Sequence, residues 1–205
     1  MRLKQKETRI VTGNDDEECE KDKSSQQGML PKLLEKRLVM ISGDINPEVA
    51  ERIMAQLLYL DAESKDPIRC YITSPGGHVD SGYAIHDMMR YIDAPVITIG
   101  AGWVASIAVP ILFGAEKDKR YCLPNTRFLL HQPSGGAGGQ AADIRIEAQE
   151  IIKIRQRINK LIAAETGQPL DKVSRDSDRN YWLNAEEALE YGLVKKIVKN
   201  AKEAK

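Results

Sequence analysis

Two stretches of the chain carry a candidate active site: residues 102–108, GWVASIA, and residues 128–133, FLLHQP. Ser106 lies among small residues where one apolar segment ends and another begins, and His131 ends a later run typical of a β-strand. A serine hydroxyl becomes a useful nucleophile when an adjacent base takes its proton, and an imidazole can be that base. Serine, then histidine, then a polar residue that orients the imidazole is one of several chain orders that build this arrangement. The two stretches therefore predict a serine hydrolase.

The composition narrows the class of protein. At 205 residues the chain suits one domain with a full-sized core, and its 30 basic residues equal its 30 acidic ones. Proteins that bind nucleic acid by neutralising phosphates usually have a basic excess, so we expect no nucleic-acid partner. The three irregularly spaced cysteines indicate free thiols in a reducing compartment, and residues 1–10 are too polar for a signal peptide. We therefore expect a cytoplasmic protein.

One apolar segment is long enough to suggest a membrane span. Residues 96–115 contain no charged side chain. They do contain Gly100, Gly102 and Pro110, and they begin like a strand, so a strand, a glycine-bearing turn and a buried helix explain them better. We expect no membrane segment.

The alternation of strands and helices predicts an α/β fold with largely parallel strands. We expect a polar N-terminal tail or loop at 1–30, a single domain at 31–200 and a C-terminal tail at 201–205. The predicted strands are 38–41, 68–73, 96–99, 120–123, 127–130 and 193–198. The predicted helices begin at Asn46-Pro47, at about 81, at Ser106, at about 140 and at 185. The helix at about 140–165 exceeds the usual length, which suggests that it projects and packs against another subunit.

Four local patterns occur together: SPGG at 74–77, GxxAS at 102–106, HQP at 131–133 and YGLV at 191–194. In this order they resemble ClpP, the family of proteolytic subunits of ATP-dependent Clp proteases. The resemblance covers about residues 33–198. It implies the crotonase-like fold, with repeated β-β-α and βαβ units and a long projecting handle helix.

The resemblance also implies a chemistry. Ser106 would be the nucleophile and His131 the general base, with no cofactor or metal. The backbone N–H groups of Gly77 and Ile107 would form the oxyanion hole, where a donor is typically worth about 3 kcal/mol. The implied function is that of a serine endopeptidase subunit of a self-compartmentalised, ATPase-dependent protease that degrades unfolded proteins and peptides.

An assembly follows from the same resemblance. The partners would be further copies in two stacked heptameric rings, a second ClpP paralogue in mixed rings, and an AAA+ unfoldase ATPase. The long helix would interdigitate between the rings, and Asp178, Arg179 and Gln140 match residues of the ring–ring contact.

The departures from the family pattern affect activity. Asn180 occupies the position of the triad aspartate. Its carbonyl could accept the Nδ1–H of His131, but it cannot offset the imidazolium charge, and the equivalent change in a trypsin-like enzyme costs about 10⁴ in turnover. Pro110 is expected to remove a backbone bond and bend the helix after Ser106. Ala108 replaces a usual glycine, and Arg145 replaces an acid. We therefore expect weak activity from this subunit alone.

Alternative interpretations remain open. The chain could be a non-catalytic or regulatory subunit of a mixed ring, or an acyl-CoA enzyme of the crotonase type, which shares the fold and the two-donor oxyanion hole. Asn180 could be an ordinary loop residue, and the glycines of 135–139 could form a hinge into the long helix. His78 and His86 have no evident partners and are expected at the surface.

Overall fold

The computed structural model describes residues 30–133, 136 and 138–204. The chain divides into two compact units, one ending at Lys36 and the other running from Arg37 to Lys205. The described part of the first unit contains a helical segment at 30–35. The predicted tail lies outside the described residues except for Leu30. The second unit carries the candidate active site.

The described part of the second unit alternates strands and helices along the chain. The strands are β1 (Leu38–Ile45), β2 (Ile68–Gly77), β3 (Val96–Ala105), β4 (Arg120–Cys122), β5 (Arg127–Leu130), β6 (Tyr181–Leu183) and β7 (Lys196–Ile197). The helices are α1 (Pro47–Glu63), α2 (Val79–Tyr91), α3 (Ala108–Leu112), α4 (Ala141–Thr166), α5 (Leu170–Asp176) and α6 (Ala185–Tyr191). Short 3₁₀ helices lie at Lys117–Lys119 and Ala201–Glu203.

The sheet is mostly parallel. Its strands follow the order β1-β2-β3-β4-β7, and each neighbouring pair in that order is parallel. β5 pairs in parallel with the far half of β3, and β6 pairs antiparallel with β5. The predicted α/β class with parallel strands is confirmed.

β3 is longer than its predicted range of 96–99. Its first half pairs with β4 at Thr98–Gly100, and its second half pairs with β5 from Trp103 to Ala105. The apolar pattern predicts only the first half, because the second half becomes a strand through its pairing with β5. This extension brings the residue before Ser106 beside Leu129.

The start of α1 shows how local sequence determines an element. Asn46 is the N-cap, its Oδ1 accepts a hydrogen bond from Val49 N–H at 2.8 Å, and Pro47 occupies the first helical position. Among the predicted apolar face, Ile53, Leu57 and Leu60 are buried in the core. The predicted helix start is confirmed.

The long helix α4 has 26 residues, close to its predicted range of 140–165. Its buried residues are Ile158, Asn159 and Ile162, whereas Ile144, Ile146 and Ile152 are exposed nearer its beginning. Its buried residues therefore lie only in its last third, among the described residues.

The end of α4 is held by a partly buried ion cluster. Glu165 forms salt bridges with Arg120, whose side chain is 1 % exposed, and with Arg90. Both arginines also donate to the carbonyl of Phe113, just after α3. The cluster therefore ties α4 to the helix that follows Ser106.

Three features of the second unit differ from the predictions. The sequence patterns did not indicate α5 or β6, and the closing strand is reduced to Lys196–Ile197. Ala204, in the predicted C-terminal tail, is 3 % exposed and belongs to a cluster with Val198 and Tyr121. Across the described residues, no helix is both long and apolar enough to cross a membrane.

Candidate active site

Ser106 occupies the turn between β3 and α3 in a strained backbone conformation. Its φ is 56°, in the left-handed region that non-glycine residues rarely adopt. Its N–H donates to Leu129 O at 2.9 Å, and its carbonyl accepts from Val109 N–H at 3.0 Å. A strained strand-to-helix turn is how several hydrolase folds expose a nucleophilic serine. The prediction that Ser106 itself begins the helix is wrong, since α3 begins at Ala108.

Pro110 lies too early in α3 to remove a backbone hydrogen bond of the helix. It is the third residue of the helix, where an N–H has few intrahelical acceptors. The carbonyl that its N–H would have used is that of Ser106, which already accepts from Val109. The predicted loss of a backbone bond is therefore wrong.

The glycine pair at the end of β2 lies against Ser106. A Cβ at Gly76 would be 2.6 Å from Ser106 Cβ and 3.2 Å from Ser106 Oγ, and the φ of Gly76 is 101°. A Cβ at Gly77, with φ 141°, would be 2.2 Å from Ile45 O. Both positions therefore require glycine, for space as well as for backbone conformation.

The same loop carries the first candidate oxyanion donor, the N–H of Gly77. The next N–H along the chain, that of His78, donates to Ile45 O of β1 at 2.7 Å. Among the turn and loop backbone hydrogen bonds of the described residues, none has Gly77 N–H as its donor. Gly77 is exposed.

Ile107 is the second candidate oxyanion donor. It is the N-cap residue of α3, and its side chain is almost completely buried. Among the turn and loop backbone hydrogen bonds of the described residues, none has Ile107 N–H as its donor. A backbone N–H at a helix start can stabilise a developing negative charge.

His131 follows β5 directly. Burial lowers the pKa of His131 below its ordinary value, so the imidazole is neutral at neutral pH, as a general base must be. The hydrogen bond from Ser106 N–H to Leu129 O joins the serine backbone to a residue two positions before His131. Within the described chain, however, the Ser106 hydroxyl and the His131 ring form no hydrogen bond with each other.

Asn180 is brought near His131 by strand register. The last pair of the β5–β6 ladder is Leu130 with Tyr181, so the next opposed residues are His131 and Asn180. Opposed residues of an antiparallel pair have Cα atoms about 4.5–5.5 Å apart. The Asn180 side chain is exposed, and among the described residues it makes no hydrogen bond with His131. The register thus brings the backbones of the two residues side by side, but the Asn180 side chain makes no hydrogen bond to the imidazole.

Sequence analysis missed a polar triangle beside this pair. Arg155 of α4 donates to Asp178 Oδ1 at 2.9 Å and to Gln132 Oε1 at 3.1 Å, and Gln132 Nε2 donates to Asp178 O at 2.8 Å. The triangle links α4 to the residue after His131 and to the loop before Asn180. The sequence feature that could have pointed to this triangle is the position of Gln132 next to His131.

The three residues predicted for the ring–ring contact have different environments. Asp178 is engaged within its own chain by Arg155. Arg179 and Gln140 are exposed, and their side chains make no hydrogen bond or ion pair among the described residues.

The strain at Ser106 predicts a stability difference between two variants of this residue. We expect Ser106→Gly to be more stable than Ser106→Ala by about 1 kcal/mol, because glycine adopts a positive φ without a Cβ clash. Urea unfolding of the two purified variants measures the difference. An alanine variant as stable as the glycine variant would show that the turn relaxes and that the strain is not stored at Ser106.

The chain was compared with known proteins. The family model described as Clp protease matches residues 20–201. The ATP-dependent Clp protease proteolytic subunit 3 of Rhizobium johnstonii is 52% identical over 187 residues, which are 90% of this chain and 96% of the relative. The proteolytic subunit 2 of Treponema denticola is 48% identical over 192 residues, 93% of this chain and 96% of the relative.

A solved structure is similar as well. It is a mutant of ClpP1 from Listeria monocytogenes, with a TM-score of 0.81 and 47% sequence identity. The match covers 86% of this chain and 99% of the solved one. This similarity confirms the predicted ClpP fold.

Proposed function

The chain belongs to the Clp protease family, as a serine endopeptidase subunit, and we propose that Ser106 and His131 are its nucleophile and general base. The observation that carries the proposal is the left-handed Ser106 on the β3–α3 turn, packed against Gly76. A structural serine has no need of this strained position, whereas a nucleophile that must project from a turn does.

The proposed reaction is acyl transfer to Ser106 followed by hydrolysis. Ser106 Oγ attacks the peptide carbonyl carbon while His131 takes the hydroxyl proton. The carbonyl oxygen becomes an oxyanion, which accepts hydrogen bonds from the N–H groups of Gly77 and Ile107. His131 then returns the proton to the leaving amine. Water, activated by the same imidazole, releases the acyl group from Ser106.

The arrangement in a single subunit favours weak activity. The Ser106–His131 hydrogen bond is not formed, and the exposed Asn180 can at most orient the imidazole without charge compensation. Hydrogen bonds between catalytic groups are often long before the productive complex forms, so this geometry does not exclude catalysis. It does favour a second candidate function, that of a regulatory subunit in which Ser106 turns over little.

The proposed assembly is two stacked heptameric rings in the cytoplasm, either of this chain alone or mixed with a second ClpP paralogue, served by an AAA+ unfoldase. The exposed isoleucines of α4 support the assembly, because a further subunit would bury them. The Arg155 triangle would couple that contact to His131 and Asn180. Native mass spectrometry tests the assembly, with a tetradecamer expected and a persistent monomer contradicting it.

Labelling with a serine-directed fluorophosphonate tests the catalytic assignment. We expect stoichiometric labelling of the wild-type chain, and none of Ser106→Ala. His131→Ala should label far more slowly, because the serine would lack its base. His86→Ala is the matched control, since it removes a histidine outside the proposed site. If the wild-type chain, alone and mixed with a paralogue and ATPase, remains unlabelled, the regulatory function is the correct one.

A further inference from the structure

The first turn of α2 adjoins both residues whose N–H groups form the proposed oxyanion hole. Its N-cap residue, His78, directly follows Gly77, and the N–H of His78 donates to Ile45 O at 2.7 Å. Further along the turn, a Cβ at Gly82 would lie 2.2 Å from Ile107 Cγ1. The backbone of α2 at Gly82 therefore packs directly on the Ile107 side chain. We expect a shift of this turn to change the spacing of the two donors.

The His78 side chain holds this turn in place. Its Nδ1 accepts a hydrogen bond from Ser81 N–H at 3.3 Å and lies 2.8 Å from Ser81 Oγ. An imidazole nitrogen accepts only when its proton is on the other nitrogen, so the ring carries its proton on Nε2. The carbonyl of His78 accepts from Gly82 N–H at 3.1 Å. Side chain and backbone thus both cap the helix.

The sequence had indicated a surface histidine without a partner. His78 is exposed, as expected, but it is partnered, and Ser81 beneath it is only 5 % exposed. The imidazole therefore forms an ordered bridge from the loop that carries Gly77 to a buried residue of α2. An N-cap side chain satisfies an N–H of the first helical turn, and the residue that leads into this turn is Gly77.

We propose that His78 is a positioning residue for the oxyanion hole. Its cap keeps the first turn of α2, and with it the N–H groups of Gly77 and Ile107, at the spacing that a tetrahedral oxyanion requires. The proposal rests on the proposed function, because it assumes that these two N–H groups stabilise an acyl-transfer intermediate on Ser106. Oxyanion stabilisation depends on donors held within a few tenths of an ångström, so loosening the turn slows the chemical step more than binding.

The test is the kinetics of fluorophosphonate labelling of the full-length chain, resolved into the limiting rate constant kinact and the half-saturation constant KI. We expect His78→Ala to lower kinact on the order of tenfold and to leave KI within about twofold. His78→Asn should restore kinact, because an asparagine Oδ1 caps the same N–H. His78→Gly, which a helix start tolerates well, should behave as His78→Ala and replaces it if the alanine variant folds poorly.

Asn184→Ala is the matched control for loss of a cap. Asn184 caps α6 by accepting from Glu187 N–H at 2.8 Å, and α6 contains neither donor. We expect Asn184→Ala to lower the urea midpoint as His78→Ala does, and to leave kinact unchanged. A His78→Ala variant with wild-type kinact, or an equal fall of kinact in Asn184→Ala, would overturn the positioning role. A wild-type chain that does not label at all would instead overturn the proposed function.

Discussion

Replacing Asn180 with aspartate is expected to raise Ser106-dependent peptide hydrolysis by a factor of about 10² to 10⁴. In the proposed mechanism, His131 becomes a cation when it takes the serine proton. An asparagine opposite His131 can only accept a hydrogen bond from that cation, whereas a carboxylate also stabilises its charge. The β5–β6 register supports the substitution, because its continuation past Leu130–Tyr181 aligns the Asn180 backbone with that of His131.

The same variant should change the pH profile in a defined direction. Burial alone lowers the pKa of His131. In the wild-type chain the imidazole therefore stays neutral down to a pH below the ordinary pKa of histidine. An adjacent carboxylate stabilises the imidazolium and raises its pKa, by about 1–3 units for a close pair. We therefore expect the acidic limb of kcat against pH to move to higher pH in Asn180→Asp. The increase in kcat of Asn180→Asp is expected at pH values above this limb.

Asn184→Asp provides the charge control, since it adds one carboxylate a few residues along the chain without facing His131. We expect no change in its peptide hydrolysis. If Asn180→Asp hydrolyses a fluorogenic peptide no faster than wild type at any pH, charge at position 180 is not what limits the enzyme.

Removing the Glu165 carboxylate should strongly destabilise the fold. We expect Glu165→Ala to lower the free energy of unfolding by about 3–5 kcal/mol, the usual result of leaving one buried ion without its partner. Arg120, with its side chain 1 % exposed, would keep only carbonyl partners at Ala115 and Phe113. Burial lowers the pKa of Arg120, and the carboxylate of Glu165 opposes that shift.

Glu150→Ala is the control for this variant. Glu150 pairs with Lys153 on the same helix, and both side chains are more than half exposed. Such a pair contributes about 0–1 kcal/mol. Urea unfolding of the two variants beside wild type measures the contrast. Equal, small effects would show that solvent reaches Arg120 once Glu165 is removed.

Several elements were predictable because their causes are local. Asn46 and Pro47 begin α1 through a cap and a fixed φ, and the glycines at 76 and 77 are required by their own backbone angles and neighbours. The alternation of apolar runs predicted the parallel α/β sheet. The order of the motifs predicted Ser106 as the nucleophile and His131 as the general base, and these two roles are proposals.

Other features depended on partners distant in the chain. His86 was expected at the surface, yet it is 9 % exposed and bonds to Asp87. β6 is a strand because β5 lies beside it, and its three residues are too short for any period to show.

The amino-acid sequence by itself indicated the alternation of strands and helices, the cap of α1 and the glycine pair, because each depends on side chains a few positions apart. Only the tertiary structure decided that Ser106 is left-handed, that the β5–β6 register aligns Asn180 with His131 and that α2 packs on the Ile107 side chain. These features arise from strand register and close packing, and both are set by contacts between segments that no local pattern connects.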